Sequence, residues 1–316
     1  MKRGLITWDK MEIPPAVFDG RLQRLRSLMA AKSLQAAVVY SELWRSNSAR
    51  FLSNYMPYFN RAFLIVPADQ PVTLLCGLSP RVHGWIRSVT IIEDVRPAGN
   101  FAKPLFQLAS ERGWSRIGIY DYLQLPYDLY QLLQAGPLEI VDINSAELLS
   151  DETEISMRRK AAAMAREILE AELPFGVGRT DYEFVGRLER RYRGAGAEDL
   201  IVLLTNGAGV PAPPSGQRLQ EQYSASIALE YRGHWVRIAR SHGSSFDPEV
   251  LRREFLHLDS PPHIENLSGS YPYEHITRRE LGQGSIFAVH VVRPVGAKQI
   301  YLGDTFRFGT SGPEIL

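Results

Sequence analysis

The first half of the chain alternates two kinds of hydrophobic pattern. Val17, Phe18, Leu22, Leu25, Leu28 and Met29 recur at helical spacing with Arg21, Arg24 and Arg26 between them, predicting a helix within 15–35. The runs 36–40, 62–67 and 72–75 are short and almost continuously apolar, as buried strands are. The pattern then predicts a helix over Ala102–Arg112 ended by Gly113, a strand over Arg116–Tyr120, a helix over Tyr127–Gln134 and a strand over Leu138–Ile143. Helices interleaved with such strands imply an α/β layer domain over residues 1–147.

The pattern changes after that point. Asp151 can cap a helix start, with Glu154 three residues on, and the helix should run to about Glu172. Thr180 and Glu183 repeat the capping-box spacing, and that helix should stop near Gly194. Strands follow. Ile227–Tyr231 and Trp235–Ala239 flank Arg232-Gly233, a hairpin signal, and Ser285–Val292 and Tyr301–Phe308 read as two more. Residues 148–316 therefore predict an α+β domain with mainly antiparallel sheet. Within it, 241–272 is rich in Ser, Pro and Gly with weak periodicity, and reads as loop and short irregular structure.

A chain of 316 residues fits two domains at roughly 150 residues each. Thirty-six basic against 35 acidic residues leave a net charge of +1, so no global electrostatic case exists for nucleic acid or an anionic membrane. Cys76 is the single cysteine, which excludes an intrachain disulfide framework. Asp9 and Lys10 interrupt the N-terminal stretch before an apolar segment forms, and no run reaches the roughly 18 apolar residues of a membrane helix. The expectation is a soluble cytoplasmic protein.

Several segments, in order, resemble the pita-bread proteins: creatinase, aminopeptidase P, prolidase and methionine aminopeptidase. The stretches 21–26, 37–40, 50–55 and 63–69 are similar to the creatinase N-terminal domain. Residues 154–162, the hairpin 231–241, the strand 281–290 and the endings 303–306 and 312–316 are similar to the peptidase domain. The resemblance implies that fold in a shortened form, and five metal ligands: two Asp, one His and two Glu. At the matching positions stand Ser226, Arg237, Ser268, His290 and Gly303. A guanidinium at a ligand position stays protonated and repels a cation. The resemblance therefore implies no metal, no cofactor and no dinuclear peptidase chemistry. Creatinase works without metal, but its histidine base falls within Asn206–Pro214, where no histidine stands and Ala212 is the nearest match.

Such a replaced site admits two roles. Arg237, Ser226 and Ser268, with Arg240 and Glu274 nearby, could hold a small carboxylate ligand; alternatively Arg237 forms an internal salt bridge, for example with Glu230 or Glu274. Arg240 matches an arginine of the family hairpin and should brace the sheet against a carboxylate. The expected function is a non-peptidase binding or partner subunit, as a homo-dimer or a hetero-oligomer with a paralogue, with no nucleic-acid or membrane partner. The alternative is a metal-independent enzyme acting on a C–N bond of a small carboxylated or amidine substrate, with His275, His290 and His234 as catalytic groups. A protein that binds Xaa-Pro peptides without cleaving them is a third possibility. Between Arg240 and Ser268 the chain is too short for the helical pair the family carries, so part of one sheet face should be uncovered.

Overall fold

The computed structural model describes residues 6–144, 150–207, 211–244, 247–256, 263–267, 274–275, 281–295 and 298–316. They form two compact units, divided between residues 148 and 149.

The N-terminal unit runs α1 (Pro15–Ala31), β1 (Ala36–Ser41), α2 (Asn47–Ser53), β2 (Ala62–Pro67), β3 (Thr73–Cys76), α3 (His83–Val89), β4 (Asp94–Pro97), α4 (Ala102–Arg112), β5 (Arg116–Tyr120), α5 (Tyr127–Gln134) and β6 (Glu139–Ile143). Its mixed sheet has the order β4-β3-β2-β1-β5-β6. Both faces are covered, which is why its central strands read as unbroken apolar runs. On one face Val39, Leu64 and Leu74 pack with Leu25 and Met29 of α1. On the other, Val38, Phe63 and Leu75 pack with Leu105 of α4 and Leu129 of α5. Gly113 ends α4 in the left-handed region. The sequence pattern misses α2, α3 and β4, because two turns of helix or one apolar residue in four carry no measurable period.

The C-terminal unit begins with α6 (Glu152–Glu172) and α7 (Asp181–Gly194), capped at Asp151 and by a full Thr180–Glu183 box. Strands β7 (Asp199–Asn206), β8 (Tyr223–Tyr231) and β9 (His234–Ser241) follow, then α8 (Pro248–Leu256). After these come β10 (His263–Asn266), β11 (Glu274–His275), β12 (Ile286–Val295), β13 (Lys298–Gly309) and β14 (Gly312–Ile315). The sheet order is β11-β10-β12-β13-β9-β8-β7, with β14 on β13, and every described pairing is antiparallel. Arg232 and Gly233 both have positive φ, as a two-residue mirror-image hairpin turn requires. Ala161, Ala162 and Ala165 give α6 a small-residue face, all buried. Arg158, also buried, donates to Trp235 O and Leu267 O while paired with Glu154, so one side chain ties α6 to β9 and to the residue after β10.

Two expectations about 241–272 are corrected. The stretch holds a helix and a strand, not only loop. Its face of the sheet is not bare either: Leu251 and Phe255 of α8 pack on Phe287, Leu302 and Phe306 of β12 and β13. The 3.6-residue period of 248–256 spans too few turns to stand out between the flanking serines and prolines.

Candidate functional site

Strand alternation decides which residues can meet. On β9, His234 and Arg240 share one face, and Arg237 lies on the other. The first face meets α6. Arg240 pairs there with Glu170 and Asp304 at 2.8 Å each, and donates to Gly303 O at 2.7 Å. Arg166 of α6 holds the second oxygen of Asp304 at 3.0 Å. His234 is buried with Nδ1 3.8 Å from Glu154 on the same helix. Arg240 and His234 therefore belong to the joint between helix and sheet.

The opposite face collects the positions that correspond to metal ligands in the resemblance. Cross-strand register forms one row of His263, His290, Gly303, Ala239 and Ser226 across β10, β12, β13, β9 and β8. The next row on that face runs His275, Glu265, Ala288, Thr305 along β11, β10, β12 and β13. Arg237 joins it on β9: its amide donates to Thr305 Oγ1 at 2.8 Å and its carbonyl accepts from that hydroxyl at 2.9 Å. The register thus brings Ser226, Arg237, His290 and Gly303 to one patch of one face. Ser268 lies outside the described residues. Of Glu274 and His275 the backbone alone is described: Glu274 pairs with Asn266 and His275 with Glu265.

Arg237 has its carboxylate inside the chain. Its Nη1 donates to both oxygens of Glu265, and both side chains are nearly buried. The internal salt bridge at Arg237 is thus made with Glu265. His263 Nε2 lies 2.9 Å from Glu265 Oε1, and His290 Nε2 lies 3.9 Å from Oε2. Burial alone would raise the Glu265 carboxyl, but the His263 hydrogen bond and the Arg237 charge hold it below the ordinary glutamate value. His290 is fully buried and stacked on Tyr301 at 5.6 Å; neither ring nitrogen has a hydrogen-bond partner among the described residues. Burial, reinforced by the Arg237 charge, lowers its pKa to about 3, so the imidazole is neutral at physiological pH. Ser226 is also buried, its hydroxyl unpartnered among the described residues.

The metal site that the resemblance implies does not fit this donor set. One ligand position carries a permanent cation, one a buried hydroxyl and one no side chain. Among the described residues no group of three His, Cys, Asp or Glu is placed to hold an ion. The carboxylate next to Gly303 in sequence is Asp304, which the alternation turns to the α6 face, where two guanidinium groups hold it. A Cβ at Gly303 would lie 2.2 Å from His290 Nδ1, so the His290 ring fills the space that a side chain at 303 needs. Gly303→Ala should therefore lower stability by about 1–3 kcal/mol, and His290→Ala in the same chain should recover part of that loss. Urea midpoints of the two single variants and the double variant measure the coupling; strict additivity would show that the two positions do not compete for space.

Glu265, His263, Thr305 and Tyr301 are the site residues that sequence reasoning missed. A signal existed: in His263-Ile264-Glu265 the polar–apolar–polar alternation marks a strand with His263 and Glu265 on one face.

Residues 21–148 match the family described as the Creatinase/Prolidase N-terminal domain. No curated protein matches the chain by sequence. Among solved structures, the chain is similar to an X-Pro aminopeptidase from Thermotoga maritima MSB8 (TM-score 0.72, 16% identity, 93% of this chain and 96% of that one). It is also similar to a prolidase from Pyrococcus horikoshii OT3 (0.70, 13%, 94% and 97%) and to an Xaa-Pro dipeptidase from Bacillus anthracis (0.69, 14%, 94% and 97%). At these identities the likeness establishes the fold. The chain therefore has the pita-bread fold, with a creatinase/prolidase-type N-terminal domain over residues 21–148.

Proposed function

We propose that this pita-bread protein is not a metallopeptidase and acts by binding, as a subunit partnered with itself or with a relative. The observation that carries this reading is the Arg237–Glu265 pair, which fills with its own cation and anion the patch where ligand positions converge. A small carboxylate ligand at Arg237 would have to displace Glu265. The reading as a metal-independent hydrolase gains little support from His290, which is sealed from solvent, or from His234, which faces α6.

A partner role is supported at one end of the N-terminal sheet. Strand β1 ends beside the start of antiparallel β2 and runs parallel to β5, so the loops at 42–46, 57–61 and 121–127 share an edge. Arg45 donates to Gln124 O, and Arg61 pairs with Asp128 at 3.1 Å, which tie these loops together. They carry Trp44, Phe59, Leu123 and Tyr127, each more than half exposed. Large apolar side chains gathered on exposed loops are characteristic of association surfaces.

The test is direct. Purified protein should carry no stoichiometric manganese, cobalt, zinc or iron by elemental analysis, and should leave Xaa-Pro dipeptides intact with added Mn2+ or Co2+. Light scattering after size exclusion should give an assembly that Trp44→Ser with Phe59→Ser shifts toward monomer. Two ions per chain, or dipeptide turnover, would end the non-peptidase reading.

A further inference from the structure

We infer that two copies of this chain pair by exchanging a proline-rich segment: residues 211–214 of each copy lie against the aromatic loops at Trp44, Phe59 and Tyr127 of the other. The inference rests on the association reading above and names the surface that those loops meet. Pro211-Ala212-Pro213-Pro214 holds three prolines in four residues. A proline ring fixes φ near −65°, and a residue that precedes proline is driven out of the helical region, so covalent geometry keeps 212–214 extended. The fold also anchors the segment. Ala212 exchanges two backbone hydrogen bonds of 2.8 Å with Leu204 on the outer edge of β7. The buried Asp181 carboxylate accepts from the amides of Ser215 and Gly216 at 2.7 and 2.9 Å. Ala212 and Pro213 are nonetheless exposed, with Pro211 and Pro214 partly so. An extended proline segment that is already rigid loses little entropy on binding, and such segments dock between aromatic side chains.

The N-terminal unit carries a receiver of that kind. Phe59 has φ 51°, a left-handed conformation rare for a bulky residue, and its ring stands in solvent. Asn60 pins this turn: its side chain donates to Gly77 O at 2.8 Å and accepts from the Arg61 amide at 2.8 Å. Trp44 and Tyr127 are exposed on the neighbouring loops. Tyr127 Oη accepts from Gln131 at 2.7 Å and keeps its own hydrogen to donate to a carbonyl of the segment. The occupant is a second copy because one chain holds both halves, a preformed proline ligand on one unit and exposed aromatic rings on the other. Reciprocal exchange closes a two-fold pair in which each contact is made twice.

The experiment follows assembly by size exclusion with light scattering over a dilution series. It compares the native chain with an arm variant, Pro213→Ser with Pro214→Ser, and a loop variant, Trp44→Ser with Phe59→Ser. Cooperative urea unfolding verifies that each variant is folded. Pro213→Ala, at one exposed ring, is a milder arm variant that should weaken assembly in the same direction. The arm and loop variants should each dissociate at concentrations about tenfold higher than the native chain, or more. An equimolar mixture of the two should associate more tightly than either alone, because the arm of one still meets the loops of the other. If the arm variants assemble like the native chain while the loop variant does not, or if the mixture gains nothing, the inference is overturned and the association reading stands. If the loop variant assembles like the native chain, or the native chain is monomeric throughout, both fall.

Discussion

Glu265→Ala should lower the free energy of unfolding by about 3–5 kcal/mol, measured by urea denaturation at neutral pH. The magnitude follows from what is left behind. With Glu265 gone, the Arg237 guanidinium remains on a sheet face with little solvent to take its charge. Glu265→Gln should recover only a fraction, because the amide accepts a hydrogen bond but supplies no negative charge. Arg237→Met combined with Glu265→Leu should lie much closer to the native protein than either single loss, since removing both ions also removes both desolvation penalties. A loss below about 1 kcal/mol for Glu265→Ala would mean that the pair is solvated and behaves as a surface bridge. The same cycle bears on function. A pair of this strength would keep the patch closed against small anions as well as cations, so a ligand bound there would have to break it.

The extent to which this arrangement could be read from the chain depends on how many residues each signal spans. Long capped helices and all-buried strands announce themselves: Asp151 and Thr180 mark the starts of α6 and α7 because each cap satisfies a definite backbone amide. The convergence of Ser226, Arg237, His290 and Gly303, which the resemblance implied, agrees with the strand register that brings them together. The counter-ion was not. Glu265 sits on a four-residue strand inside a stretch of weak periodicity, and its pairing with Arg237 is a long-range fact that no local pattern contains. The choice between an open anion pocket and an internal salt bridge turned on that one residue. Helix α8 escaped notice for the related reason that its Leu251 and Phe255 are identified as core by the strands they cover, not by their neighbours in sequence.

Acid should unfold the protein earlier than its ordinary charge composition requires, and His290 should be a principal cause. Its pKa is about 3 in the folded protein against 6.5 for an unperturbed histidine. Between those values the unfolded chain binds a proton at this residue and the folded chain does not, so stability rises with pH and falls as the solution is acidified. The contribution is fully present above pH 6.5 and is lost at up to about 1.4 kcal/mol per pH unit as pH falls toward the folded value. Glu265 adds to the same trend at lower pH. Its folded pKa is depressed, so the stability it contributes is present above the ordinary glutamate value and lost as pH falls through the folded one. The two effects separate by variant. His290→Leu should flatten the stability profile between pH 6.5 and 4.5 while leaving the steeper loss below it, because leucine binds no proton and the Arg237–Glu265 pair remains. Urea midpoints for the native protein and His290→Leu across that range measure the difference directly, with every other titrating group common to both. Parallel profiles would mean that His290 takes up its proton in the folded state, and hence that water reaches the heart of the patch.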